Sequence, residues 1–259
     1  VRQRVLVAVV LLPPVLYAVW QGGTWWIGLV LAVAGLGGYE YYDLLGRGGL
    51  RPARWLGMAW LLALVLTAQR PALFATVLTG GLIVSLVRSL YQVDRPLINW
   101  AGTVAGTVYL GTMMGQAMVL RLLPDGLWWL LLALVATWLN DTSAYLVGIS
   151  LGRHRIWPRL SPKKSWEGTL GGLGIAAVGG SLVAGLSPLP LHPGWGALLG
   201  AGAGILAFFG DLSISMVKRQ VGVKDSGRLF PGHGGMLDRL DSLLFVIPAI
   251  SLIAQWGSG

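Results

Sequence analysis

The chain has no cysteine among its 259 residues. That excludes disulfides, zinc–thiolate centres and thiol nucleophiles. Charge is nearly as scarce, at 11% of residues, where soluble domains carry about 25%. With 10 acidic residues and 3 histidines, any acid–base or metal chemistry has few groups to draw on. No linker, low-complexity tract or internal repeat divides the sequence. What is present instead is apolar: 55% of residues are hydrophobic, in runs that recur along nearly the whole length. Such a chain is a polytopic membrane protein. Its formal net charge of +9 would suggest a nucleic-acid partner in a soluble protein. Here the enrichment of Lys and Arg in cytoplasmic segments accounts for it, and no nucleic acid is expected.

A spanning helix needs about 17–25 mostly apolar residues. Nine segments are candidates, with cores at 5–20, 24–41, 53–69, 72–90, 101–120, 126–148, 168–187, 195–215 and 242–256, the third being short. Turn chemistry separates them, as at Gly22-Gly23, Arg70-Pro71 and Pro124-Asp125-Gly126. The first run contains Pro13-Pro14 and lacks a small-residue cleavage site, so it reads as a retained helix. With the N-terminus in the cytoplasm and the C-terminus on the far side, only Arg70 and Arg121 of the 19 basic residues fall outside the cytoplasm. The expected fold is therefore all-α, a single transmembrane domain over 1–259. The helices of 1–125 would act as scaffold, and 126–259 would be catalytic, with cytoplasmic loops 149–167 and 216–241. Glycine-rich stretches such as 168–180 fit close helix packing through small residues.

The scarce charge is concentrated. "SMVKRQVGVKDSGRLFPGHGGMLDRLDS", Ser215 to Ser242, holds Lys218, Arg219, Lys224, Asp225, Arg228, Asp238, Arg239 and Asp241, with His233 beside them. Asp141 and Asp211 each end an apolar run. Ionisable groups at membrane depth are costly and generally face a partner or polar cavity. Asp211, Ser215 and Lys218 share one stripe if helical, and so do Asp238 and Asp241. An oxygen-only set of Asp211, Ser215, Asp238 and Asp241 suits a hard cation such as Mg2+. The competing reading pairs these carboxylates with Lys218, Arg219 or Arg239 as structural salt bridges. The loop glycines with Lys224, Arg228 and His233 suit phosphate, although His233 could equally fix the loop. In "SPKKSWEG", Ser161 to Gly168, Lys163 and Lys164 are either phosphate ligands or ordinary cytoplasmic basic residues. Ser165 is placed to cap the next helix, and Glu167 lies in its first turn.

These residues resemble a known family. The stretch from Ser215 matches the pattern S-x-x-K-R-x(4)-K-D-x(5)-P-G-H-G-G-x-x-D-R-x-D of the phosphatidate cytidylyltransferases, or CDP-diacylglycerol synthases. "NDTSAYLVGISLGRHRIWPRLSPKKSWEG" (140–168) and "GDLSISMVKR" (210–219) are similar to further family segments. The specific resemblance covers roughly 140–242, with Arg153-His154 standing where a Gly-Lys pair is common. It implies that CTP and phosphatidic acid give CDP-diacylglycerol and pyrophosphate in the inner (cytoplasmic) membrane, in a homodimer. It also implies Mg2+, with K+ as a second ion, at Asp211, Ser215, Asp238 and Asp241. The expected catalytic residues are Asp211, Asp238, Asp241, Lys218 and Arg219. The expected substrate-binding residues are Asp141, Ser161, Lys163, Lys164, Glu167, Lys224, Asp225, Arg228, His233 and Arg239. Two alternatives are a CTP-dependent polyprenol or lipid kinase, which would release CDP, and an ion-coupled transporter. The broken helices and inverted repeat of the latter are not found.

Overall fold

The structure is a computed structural model that describes residues 2–227, 229–230 and 234–257. Arg228 and His233, both expected in the site, lie outside the described residues. In chain order the elements are α1 (Arg2–Gln21), α2 (Gly23–Arg47), α3 (Arg54–Thr67), α4 (Pro71–Ser89), α5 (Pro96–Leu122), α6 (Gly126–Ser150), β1 (Arg155–Trp157), β2 (Ser161–Ser165), α7 (Trp166–Leu186), α8 (Pro193–Gln220), α9 (Leu237–Leu240) and α10 (Leu243–Gly257). All the helices but the four-residue α9 coincide with the nine apolar segments, and β1 and β2 lie in the loop between the sixth and the seventh. Among the described residues the fold is all-α apart from one antiparallel hairpin, β1–β2, and an isolated bridge between Phe230 and Gly234. The chain is a multi-pass membrane protein: α4, α6, α7 and α8 are long and apolar enough to cross a membrane. The 14-residue α3 and the 15-residue α10 are apolar but shorter.

The chain forms two compact units. One comprises Val1–Val119 with Val217–Arg239, the other Leu120–Met216 with Leu240–Gly259. The segment 217–239 thus belongs with the N-terminal helices.

Polar side chains lock the first unit from inside. The Tyr42 hydroxyl on α2 donates to the Thr103 carbonyl at 2.9 Å and meets the Thr107 hydroxyl at 2.6 Å, both on α5. Thr107 in turn donates to the Gly57 carbonyl of α3. Trp26 on α2 donates to the Ala117 carbonyl of α5, and Trp60 on α3 to the Val77 carbonyl of α4. In an apolar surround a donor left unmatched costs more than a bond gains, so these bonds specify which helix faces which. Tyr41 packs over Gly106, where any Cβ would clash with its ring.

In the second unit small residues bring the helices together. A Cβ on Gly171 of α7 would lie 2.8 Å from a Val147 methyl on α6, and one on Gly196 of α8 would lie 2.5 Å from the Ala184 methyl on α7. This close packing is the role expected of the glycine-rich helices. The Ser165 side chain accepts the Gly168 N–H at 3.2 Å and caps α7, as its position predicts. Ser165→Ala is expected to lower stability by about 0.5–2 kcal/mol, measured as an earlier loss of helical signal on heating.

Candidate active site

In the second unit, α8 presents Asp211 and Ser215 one helical turn apart. The Ser215 hydroxyl donates to Asp211 Oδ1 at 3.2 Å. The other carboxylate oxygen takes the Lys164 ammonium at 2.8 Å. Lys164 arrives on β2, so the hairpin folds the basic loop onto α8. Its ammonium also reaches the Phe208 carbonyl at 3.4 Å and lies 4.5 Å from the centre of the Phe208 ring. The ion pair is partly open, with side chains 22% and 32% exposed. Ordering two charges there leaves them reachable by a polar ligand.

Asp141, near the middle of α6, accepts from the Asn140 amide at 3.2 Å. It hydrogen-bonds Ser242 as well, and Asp211 and Lys164 are its charged neighbours. Asp241 accepts the Ser242 N–H at 2.8 Å, and the Asp241 carbonyl packs against Gly210, immediately before Asp211. Asp141, Lys164, Asp211, Ser215 and Asp241 thus belong to one unit and form a network about α8.

The remaining expected residues of the basic loop behave differently. Lys163 is exposed, and its carbonyl accepts from Arg155 at 2.7 Å. Ser161 opens β2 opposite Trp157. Glu167 accepts the backbone N–H groups of Arg153 and His154, at 3.1 and 3.3 Å, and the His154 ring nitrogen at 2.5 Å. It ties the start of α7 to the turn ahead of the hairpin.

The first unit holds a second charged cluster. The Lys218 ammonium donates to Asp238 Oδ1 at 2.6 Å, and both side chains are buried. Asp238 Oδ2 accepts three further donors: Ser226 N–H at 2.8 Å, Gly235 N–H at 2.9 Å and Ser226 Oγ at 3.0 Å. Burial works to raise the Asp238 pKa. The Lys218 ammonium and the backbone N–H groups of Gly235 and Ser226 outweigh it and hold the carboxyl below the ordinary range. The salt-bridge reading therefore applies to Asp238 with Lys218. Arg219 donates to the Val223 carbonyl at 2.9 Å, closing the end of α8. Lys224, Asp225 and Arg239 are exposed. Because α9 ends at Leu240, Asp241 is not on one helical face with Asp238.

The sequence reading missed one carboxylate. Glu40, in the apolar run of α2, is only 8% exposed and accepts from Ser226 Oγ, Met236 N and Leu237 N at 2.8, 2.9 and 3.0 Å. The rule that singles out Asp141 and Asp211, an acid within an apolar segment, also singles out Glu40.

A hard cation needs several oxygens with lone pairs to spare. Asp211 and Ser215 offer such oxygens one turn apart on α8, and Asp141 and Asp241 lie in the same unit. Asp238 is already committed to four donors. Among the described residues, no group of three or more His, Asp or Glu side chains converges as a finished metal centre.

Residues 2–256 match the model of the cytidylyltransferase family. The chain belongs to this family. It is 36% identical over 265 residues to a phosphatidate cytidylyltransferase of Brucella abortus, covering 99% of this chain and 93% of the relative. The phosphatidate cytidylyltransferase of Synechocystis sp. is 34% identical over 281 residues, covering 96% of this chain and 94% of its own. That of Staphylococcus aureus (strain COL) is 44% identical over 135 residues, half of each chain. Membership places the chain among the nucleotidyltransferases.

Proposed function

We propose that this cytidylyltransferase family member joins CTP to phosphatidic acid, giving CDP-diacylglycerol and pyrophosphate. Family membership over nearly the full length supports the reaction. The observation that carries the residue assignment is the Lys164–Asp211–Ser215 cluster on α8.

Phosphatidic acid is a phosphomonoester, and such groups lose their second proton near pH 6. Near neutrality it is largely a dianion, so its oxygen attacks the α-phosphorus of CTP without a protein base. The bond from that phosphorus to the bridging oxygen breaks, and pyrophosphate leaves with the electron pair. This suits a chain with so few titratable groups. The task left to the protein is to hold two polyanions in line, which can be worth up to about 7–11 kcal/mol.

Asp211 and Ser215, with Asp241 in the same unit, would hold Mg2+ and its companion K+, and Asp141 stands beside them toward the substrate. When bound there, the metal offsets charge on the phosphate oxygens. Lys164 brings an ammonium to the same carboxylate, and Lys163 and Ser161 precede it on the hairpin as further phosphate donors. Glu167 keeps the hairpin in place. The motif, rather than any measured contact, assigns Lys218, Arg219, Lys224, Arg228, His233 and Arg239 as ligands of the polyanions. It also assigns Asp225 to the substrate loop. Asp238 is the anchor of Lys218 in this reading. We further place the N-terminus and both loops in the cytoplasm, because only Arg70 and Arg121 fall on the other side. The enzyme would work as a homodimer in the inner membrane.

The test is the product released into water. Purified protein given phosphatidic acid, CTP and Mg2+ should release pyrophosphate in step with CTP loss, and stop with EDTA. Release of CDP would instead mark a kinase and overturn the proposal.

A further inference from the structure

The glycines of the 221–236 segment suit phosphate in the sequence, yet in the structure three of them close on the chain's own carboxylates. A Cβ on Gly227 would collide with the Glu40 carboxylate, and the three atoms nearest to it all belong to Glu40. A Cβ on Gly235 would collide with Glu40 and Ser226 Oγ. Gly234 has φ +79, and its Cβ would meet Asp238 Oδ2. The backbone is thus wrapped around Glu40 and Asp238 as closely as an absent side chain permits.

Glu40 is held firmly for this role. On either side of it α2 is fixed by Trp26 to Ala117 and by Tyr42 to Thr103 and Thr107. Next to it, Tyr41 packs over Gly106. The carboxylate is therefore carried on a rigid helix, about 190 residues away in sequence from the atoms it binds. Its bonds reach both ends of one segment: Ser226 at the start, Met236 and Leu237 at the end. Between those ends lie Arg228 and His233 of the motif. Ser226 Oγ lies 2.8 Å from Glu40 Oε2 and 3.0 Å from Asp238 Oδ2. A hydroxyl has one proton to give, so two carboxylates share it, and the second of them holds Lys218. A continuous series of contacts thus runs from Glu40 through Ser226 and Asp238 to the Lys218 ammonium, all within one compact unit.

We propose that Glu40 is a positioning residue for the transfer reaction. It staples both ends of the glycine segment and, through Ser226 and Asp238, sets the Lys218 ammonium. The catalytic part of this inference rests on the reading of that segment as substrate-binding. Burying a carboxylate within an apolar helix is expensive. A helix contact alone would be met as well by an apolar residue; three convergent donors from one loop require the acid.

The test uses the full chain in lipid nanodiscs. Glu40→Gln keeps the shape but turns one acceptor into an NH2 that faces an N–H donor. Amide exchange in peptides covering 226–237 should accelerate about 10- to 100-fold, the effect of losing hydrogen bonds to a charged acceptor. Peptides from α6 and α7 should not change. Turnover with CTP and phosphatidic acid should fall by a similar factor. Gly227→Ala should be nearly inactive in the otherwise native chain, yet add no further loss to Glu40→Ala, which removes the colliding carboxylate. Unchanged exchange in Glu40→Gln, or a Gly227→Ala loss that persists in the Glu40→Ala background, overturns the proposal. If Glu40→Gln fails to reach the membrane, Ser226→Ala removes only the shared hydroxyl. Faster exchange at 226–227 in that variant supports the staple at its first end, and native exchange there refutes it. The exchange readout needs no turnover. A native protein that transfers no cytidylyl group therefore sinks the proposed reaction, while exchange still decides whether Glu40 is the staple.

Discussion

Asp211→Asn is expected to lower turnover by about 100- to 1000-fold, the range seen when one preorganised charge-stabilising group is removed. The substitution keeps the size of the side chain but removes its charge. Lys164 then loses the ion pair that orders it, and Ser215 loses its charged acceptor. Any cation bound there loses a carboxylate in contact with both Lys164 and Ser215. The pair is partly exposed, so the cost to folding is small. The melting temperature should stay close to that of the native protein while initial rates collapse. A large drop in melting temperature with preserved turnover per folded molecule would show that Asp211 is structural only.

Asp238→Asn should act in the opposite sense, on the structure first. Removing one partner of a buried ion pair typically costs about 3–5 kcal/mol, because the other charge remains buried without its partner. Here Lys218 would be stranded, and the N–H groups of Ser226 and Gly235 would face an amide in place of a carboxylate. The Asp238 carboxyl is held below its ordinary range by those donors. A depressed folded-state pKa adds stability that is fully present above the unfolded value, about 3.9. That stability is lost as the pH falls through the lower, folded value. The native protein should therefore show an acid limb in its unfolding profile below about pH 4. Asp238→Asn should lack that contribution and be less stable at neutral pH. Unfolding curves from pH 3 to pH 7 for both proteins decide the matter; equal stability at neutral pH would contradict the buried-pair account.

Most of the helical architecture is legible because apolar runs and their breaks are one-dimensional signals. Segments such as 126–148 and 168–187 announce themselves through length and composition, and the observed helix ends, Gly126–Ser150 and Trp166–Leu186, differ from them only slightly. The spacing of Asp211 and Ser215 foretells their hydrogen bond for the same reason: an i, i+4 pair shares a helix face. The hairpin is different. Ser161–Ser165 reads "SPKKS", with no apolar alternation, and is a strand through pairing with Arg155–Trp157. That pairing carries Lys164 to Asp211, so the ion pair is invisible without it. The glycines of 227–235 suggested room for phosphate. The sequence offers no sign that Glu40, far upstream, already occupies the space beside two of them. Asp238 and Asp241 are three residues apart, yet α9 stops between them, a boundary that local propensity does not mark.

Phosphorus bookkeeping tests the central claim most directly. Two parallel reactions would contain the purified protein, phosphatidic acid, Mg2+ and CTP labelled on either the α- or the γ-phosphorus, with Asp211→Asn beside each. Attack at the α-phosphorus predicts that only the α-label enters the lipid phase, that the γ-label stays in water as pyrophosphate, and that the variant transfers little of either. Appearance of the γ-label in lipid, or of neither label from demonstrably folded protein, would contradict the account.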